Sequence, residues 1–463
     1  MARLIVVSNR MAVPGSDAVN RAGGLEVALR ALVARNHGVW IGWSGKIAKG
    51  PIVPQTVERD GVTFITTDLT REDYDEYYLG FSNRALWPIF HFRLDLMEFS
   101  NRDFNGYMRV NSHFAEILHK ILKPDDMVWV HDYHLIPLAK ALRDYGHRNR
   151  IGFYLHVPFP SVEVITALPK HERLISSLCH YDLVGFQVDG YADNLARYFS
   201  AECQMQSTAP RVFAAGKRAV QIGVFPVGVE MTEFKRLAER AMRSSFVREV
   251  AESMAGRALI IGVDRLDYSK GIDQRIVAFG RFLDKNPQWH RAVTYLQITP
   301  RSRSEIREYA DMARQIGEIV GRVNGAYGEA AWTPVRYVNR SYGRSALAGL
   351  FRLSRAALVT PLRDGMNLVA QEYVAAQNPN DPGVLILSRF AGAALKCKAA
   401  LLVNPYDVDA VGDAVAQALS MPEQERRQRY DELFKNLADI DIRSWGDRFI
   451  SALQETGRER AAA

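Results

Sequence analysis

Short, nearly unbroken apolar runs recur along the chain, and stretches of helical periodicity separate them. In the first half the runs are Leu4–Val7, Val39–Trp43, Met127–Val130, Gly152–Leu155 and Leu183–Phe186. In the second half they are Leu259–Val263, Thr294–Ile298, Ala357–Thr360, Val384–Leu387 and Leu401–Val403. Continuous runs, as opposed to strict apolar–polar alternation, predict parallel strands covered on both faces. Helical spacing of apolar residues predicts helices over Leu25–Ala34, Ser112–Ile121, Asp273–Asp284 and Leu368–Ala376. Strand and helix in alternation predict a doubly wound α/β fold.

The segment FPVGVEMT, residues 225–232, interrupts this pattern with Pro226 and Gly228, and a fresh strand follows at Ala258. A boundary near residue 235 is expected, giving an N-terminal domain over 1–235 and a C-terminal domain over 236–440. Both halves open alike, with an apolar strand followed by Ser8-Asn9-Arg10 or by Asp264-Arg265. In the last stretch Trp445, Phe449, Ile450 and Leu453 fall at helical spacing. Residues 441–463 are therefore expected to form a closing helix packed across the domain junction, with a frayed tail after Gly457.

A chain of 463 residues is long enough for two or three domains with large cores. No apolar run approaches the roughly 20 residues of a membrane helix, and no membrane partner is expected. Leu4–Val7 reads as a core strand close to the start, and no export signal is expected. Three widely spaced cysteines, Cys179, Cys203 and Cys397, fit neither a disulfide framework nor structural zinc. A cytoplasmic location follows from that usage. The net charge of +7 favours anionic partners. It is spread without a Lys/Arg tract or recognition motif, which argues against nucleic acid and for phosphorylated small molecules.

Candidate chemistry follows the strands. After Val359 the chain reads Thr360-Pro361-Leu362-Arg363-Asp364-Gly365-Met366-Asn367 and enters a helix that carries Glu372. Ligands of open α/β sheets sit at the carboxyl ends of strands, and a helix N-terminus there suits a diphosphate. Eight helical residues rise ~12 Å, so Asp364 and Glu372 can hold hydroxyls at the two ends of a sugar nucleotide; a helix cap and a solvated face residue explain them equally well. After Val263, Arg265 and Lys270 share one loop ahead of Gly271. Together they can neutralise a diphosphate and the charge that grows on it as it leaves. The competing explanation is a pair of surface salt bridges to Asp264 and Asp267.

Weaker signals surround these. Arg21-Ala22-Gly23-Gly24-Leu25 suits backbone contact with a phosphate or sugar, but paired glycines are common in turns. Gly42-Trp43-Ser44-Gly45-Lys46 ends on Ile47 and is no P-loop. Asp132 and His156 each follow a strand and can face one crevice, whereas His131 and His134 read as core histidines. Three Asp-x-Asp matches, at Asp73, Asp407 and Asp439, read as solvated or capping carboxylates, and no metal-ligand set is evident. Tyr77, Tyr78 and Trp87, the last beside Pro88, offer aromatic surface for a sugar, although burial is the commoner fate of tryptophan. Arg301 and Arg303, after the strand Thr294–Ile298, offer guanidinium forks for a second phosphate or simply a polar loop.

SNR at the start, AGGL, the EYY…SN..LWP run, HDYHL, LH.PFP, DRLDYSKG, TP.RDGMNLVA.EYVAAQ and LLVNPYD occur in an order that resembles the trehalose-6-phosphate synthases over roughly residues 1 to 455. The resemblance implies a GT-B fold of two Rossmann-like domains facing across a cleft. It implies transfer of glucose from UDP-glucose to glucose 6-phosphate, with retention at the anomeric carbon and with no metal or cofactor. By motif position Arg10, Tyr78 and Arg303 hold the acceptor phosphate, and Trp87 shapes its pocket. Gly23 and Gly24 approach the donor by backbone, Arg265 and Lys270 hold the diphosphate, and Tyr342 lies near the uracil. Asp364 binds glucose hydroxyls, Leu368 and Val369 bind the nucleotide by backbone, and Glu372 binds the ribose. Asp132 and His156 stand beside the reacting sugars. A homo-oligomer is expected.

The chain departs from the pattern at Gln371, often lysine in relatives, and at Tyr342, often phenylalanine. Leu395-Lys396-Cys397-Lys398 also departs, standing where an acidic residue is usual. Two other readings share the same residues: a transferase for another phosphorylated acceptor such as glycerol 3-phosphate, and a non-catalytic sensor of nucleotide sugar. A dehydrogenase is disfavoured by the lack of GxGxxG.

Overall fold

The structure, a computed structural model, describes residues 3–11, 13, 24–300 and 306–456, with the backbone alone for 24–28 and 307. The chain forms two compact units: Met1–Pro226 with Ile442–Ala463, and Val227–Asp441. The division falls at Pro226 itself, ahead of residue 235, because the helix Met231–Ala241 already packs within the second unit.

Among the described residues the first unit has ten strands: β1 (Leu4–Arg10), β2 (Val39–Ile47), β3 (Gln55–Arg59), β4 (Val62–Leu69), β5 (Met127–His131), β6 (Arg150–Tyr154), β7 (Leu183–Phe186), β8 (Ser207–Ala209), β9 (Val212–Ala215) and β10 (Arg218–Val224). They lie in the order β3-β4-β2-β1-β5-β6-β7-β10-β9-β8. The seven strands from β4 to β10 are mutually parallel, while β3, β9 and β8 join antiparallel at the edges. From β1 the chain winds outward to β2 and β4, then returns to β5 and winds the other way. The switch point therefore lies between β1 and β5.

The helix Ile442–Glu455 closes this unit from the far end of the sequence. Its Phe449 stacks on Trp129 with ring centroids 4.5 Å apart, and its Trp445 lies 4.9 Å from the same ring. Gly152 and Gly185 make room for it, since a Cβ at either would stand 2.7 Å from the Phe449 ring.

Among the described residues the second unit has six strands: β11 (Ala258–Val263), β12 (Val293–Ile298), β13 (Val335–Val338), β14 (Ala356–Val359), β15 (Val384–Ser388) and β16 (Leu401–Val403). They are all parallel, in the order β13-β12-β11-β14-β15-β16. Here the switch point lies between β11 and β14. Residues including Ile260, Phe279, Tyr295, Leu358 and Val415 form its buried core.

All ten strands read from apolar runs are present. Six others, β3, β4, β8, β9, β10 and β13, were not legible that way because they are exposed, edge-like or alternating in burial. No helix among the described residues is long and apolar enough to cross a membrane.

Candidate functional site

In the first unit the switch point places Arg10, at the end of β1, and Asp132, just after β5, at the carboxyl ends of adjacent strands. The Arg10 guanidinium lies 5.8 Å from the centre of the Trp43 ring. Gly45, at φ +85°, leaves it room, because a Cβ there would stand 2.7 Å from Arg10 Nε. Trp43 packs on Tyr78 at 5.4 Å, and Tyr78 stacks on His134 at 6.1 Å. Tyr78 belongs to a π-helix, Tyr74–Leu86, a geometry that recurs at functional sites. Within that helix the Asn83 side-chain amide donates to the Tyr78 carbonyl at 2.6 Å.

Trp87 is buried, with its ring 5.6 Å from Tyr133. Asp132 holds φ +74°, an unusual conformation for a non-glycine residue, and its Oδ1 accepts from the His156 backbone N–H at 3.2 Å. His156 Nε2 lies 3.1 Å from His131 Nδ1. Burial holds both rings far below the ordinary histidine value, His156 at about 3, so both are neutral near pH 7. Arg10, Tyr78, Trp87, Asp132 and His156 thus belong to one connected set at one end of the sheet.

The second unit gathers a second set. Lys270 Nζ meets Asp364 Oδ2 at 2.6 Å, joining the loop after β11 to the loop after β14. Asn367 Nδ2 donates to the same carboxylate oxygen at 3.0 Å. Asn367, at φ +81°, also caps the helix Leu368–Ala376 by accepting from the Ala370 N–H. The backbone N–H groups of Leu368 and Val369 stand in the first turn, where none has an intrahelical partner. Arg265, on the loop after β11, is exposed.

Asp364 is therefore not the helix cap; Asn367 is. Nor is Glu372 a fully solvated face residue: it is half-buried, and burial pushes its carboxyl up to about 7, against the pull of the Arg344 guanidinium. Tyr342 is partly exposed and packs on Phe246 at 5.3 Å. Gly24 opens the helix Gly24–Arg35. Gly23 and Arg303 lie outside the described residues.

The salt bridges weighed for Arg265 and Lys270 do not form with Asp264 and Asp267. Asp264 instead pairs with the fully buried Arg275 at 2.6 Å, and Asp267 accepts from the Ser269 N–H. Arg275 is the residue that sequence reasoning missed. Its Nε donates to Thr360 Oγ1 at 3.0 Å and its Nη2 to the Lys270 carbonyl at 3.1 Å, so one side chain ties both loops of the site. An arginine four residues beyond Gly271, with Ile272, Ala278 and Phe279 on its own helical face, was the available signal.

Two of the three Asp-x-Asp matches serve structure. Asp73 and Asp75 pair with Arg109 and Arg71, and Asp407 caps the helix Val408–Ser420. Among the described residues, no group of three or more His, Cys, Asp or Glu side chains is placed to hold a metal ion.

Residues 3–455 match the model of Glycosyltransferase family 20. A trehalose-6-phosphate synthase of Sinorhizobium fredii is 50% identical over 456 residues, 98% of each chain. An α,α-trehalose-phosphate synthase (UDP-forming) of Burkholderia xenovorans, solved with glucose-6-phosphate, superposes with a TM-score of 0.93 at 44% identity, covering 98% of this chain and 100% of that one. The Escherichia coli structure bound with UDP-2-fluoro glucose has a TM-score of 0.92 at 42% identity, covering 98% and 99%. The fold of this chain is accordingly GT-B. With its family model spanning nearly every residue and half its positions shared with a full-length relative, the chain belongs to glycosyltransferase family 20.

Proposed function

We propose that the protein transfers glucose from UDP-glucose to glucose 6-phosphate, giving α,α-trehalose 6-phosphate and UDP. The observation that carries this reading is the Lys270–Asp364–Asn367 cluster at the switch point of the second sheet, set against the open N-terminus of the helix Leu368–Ala376. Such an arrangement suits a sugar diphosphate, with Asp364 at the glucose hydroxyls, Lys270 and Arg265 at the phosphates and Glu372 at the ribose. The first unit's set then takes the acceptor: Arg10 and Tyr78 its phosphate, and Asp132 and His156 its reacting end. Relatives solved with glucose-6-phosphate and with UDP-2-fluoro glucose support the choice of these two substrates.

The reaction proceeds with retention and without a metal. The bond from anomeric carbon to β-phosphate oxygen breaks, the acceptor oxygen bonds to the same face, and its proton passes to the leaving phosphate. Arg265 and Lys270 supply the positive charge that the departing diphosphate needs. A covalent intermediate would need a free carboxylate at the anomeric carbon, whereas Asp364 is engaged by Lys270 and Asn367. Three free cysteines fit a cytoplasmic enzyme.

The test is to combine the protein with UDP-glucose and glucose 6-phosphate, with and without a chelator, and identify the product by NMR. An α,α-linked disaccharide phosphate formed equally under both conditions is expected, and Arg265→Ala is expected to lower kcat by ~100-fold with the fold intact. Another acceptor preferred over glucose 6-phosphate, or tight UDP-glucose binding without turnover, would overturn the reading.

A further inference from the structure

His131, the last residue of β5, is buried between the rings of Trp129, at 4.6 Å, and Trp445, at 6.2 Å. Its Nδ1 stands 3.1 Å from His156 Nε2, and the two rings lie within 17° of parallel. With both rings neutral, one proton occupies that bond, and the far nitrogen of His131 decides which ring owns it. His131 Nε2 is buried and, among the described residues, has no hydrogen-bond partner. If His156 Nε2 were the donor, the proton of His131 would sit on its own Nε2, burying an N–H with nothing to accept it. If His131 Nδ1 is the donor, Nε2 keeps only a lone pair. Buried orphan N–H groups are the rarer of the two. His156 then accepts at Nε2 and must carry its proton on Nδ1.

We propose that His131 is a positioning residue, which locks His156 in the tautomer that presents an Nδ1–H donor to the reacting sugars. The backbone half of the lock is the bond from the His156 N–H to Asp132 Oδ1. His156 keeps part of its surface exposed, as a donor to a substrate requires. The consequence for catalysis rests on the reading of His156 as a residue of the transfer site; the tautomer itself does not.

The experiment is long-range proton–nitrogen NMR of the histidine-labelled protein, with the His156 signals assigned by their loss in His156→Gln. Wild type is expected to show His156 protonated at Nδ1 and bare at Nε2. His131→Leu is expected to move His156 toward the Nε2–H form and to lower kcat by roughly ten- to hundredfold, the range for residues that orient functional histidines in metal sites. His131→Asn, which keeps an N–H near the Nδ1 position, is expected to hold both the tautomer and kcat close to wild type. A wild-type His156 protonated at Nε2 would overturn the proposal, as would a leucine variant with unchanged tautomer and full kcat. The wild-type spectrum decides even if neither variant folds. A wild type that makes no trehalose 6-phosphate would sink the functional reading while leaving the tautomer measurement standing.

Discussion

Replacing Arg275 by methionine removes a buried charge that ties four groups together: the Asp264 carboxylate, the Gln297 amide oxygen, Thr360 Oγ1 and the Lys270 carbonyl. Neither partner of the ion pair reaches solvent, with side chains 0% and 3% exposed. Burial already raises the Asp264 carboxyl above its usual value, and Arg275 is the first influence pulling it back. Without that cation a carboxylate is stranded in the core, and breaking a buried pair from one side costs about 3–5 kcal/mol. That is a large fraction of the roughly 5–15 kcal/mol that holds a domain folded. Removing both charges, in Asp264→Asn with Arg275→Met, abolishes the stranded charge and recovers most of the loss. Because the chain has two units, hydrogen exchange of the β11 and β14 amides reads the relevant one directly. UDP affinity should fall in the single variant, since the Lys270 carbonyl loses its anchor. A single variant destabilised by less than about 1 kcal/mol, within the range of ordinary substitutions, would refute the reasoning. So would a double variant no more stable than the single one.

Glu372 makes stability depend on pH. Its folded value of about 7 lies above the ordinary 4.5, so the native state holds the extra proton; the contribution is full below about pH 4.5 and lost as pH rises through about 7. The gap corresponds to about 3 kcal/mol, and Glu372→Gln should flatten that slope in unfolding measurements at about pH 5 and about pH 8; equal slopes would contradict it. Gly392 packs against the loop that carries Asp364: its N–H donates to the Asp364 carbonyl, and a Cβ would stand 2.0 Å from the Gly365 oxygen. Gly392→Ala should therefore cost about 1–3 kcal/mol, read as weaker UDP binding and a lower Tm, and an unchanged UDP affinity would show that the loop yields freely.

The parallel cores of both units were legible because strands buried on both faces write themselves as apolar runs, as in Leu4–Val7 and Leu259–Val263. The edge strands were not: β3 is exposed along its whole length, and β4 alternates. Lys270 and Asp364 were visible as residues following strands, but their direct pairing depends on β11 lying beside β14, a neighbour relation that spacing does not encode. Arg275 escaped for a related reason, and His131 was legible only as a core histidine. Only the tertiary fold supplies Asp264 as a partner to the one and His156 to the other. The closing helix Ile442–Glu455 was read from its periodicity, yet its seat on β5, β6 and β7 depends on Gly152 and Gly185, which carry no mark in the sequence of what they admit.

The claim that each unit holds its own substrate is tested most directly by calorimetric titration of glucose 6-phosphate and of UDP into the wild type, Arg10→Ala and Lys270→Ala. A charge-assisted hydrogen bond is worth about 1.5–3 kcal/mol, roughly tenfold or more in affinity. Arg10→Ala should lose that much for glucose 6-phosphate with UDP binding near wild type, and Lys270→Ala the reverse. Substitutions that weaken both ligands alike, or neither, would contradict the account.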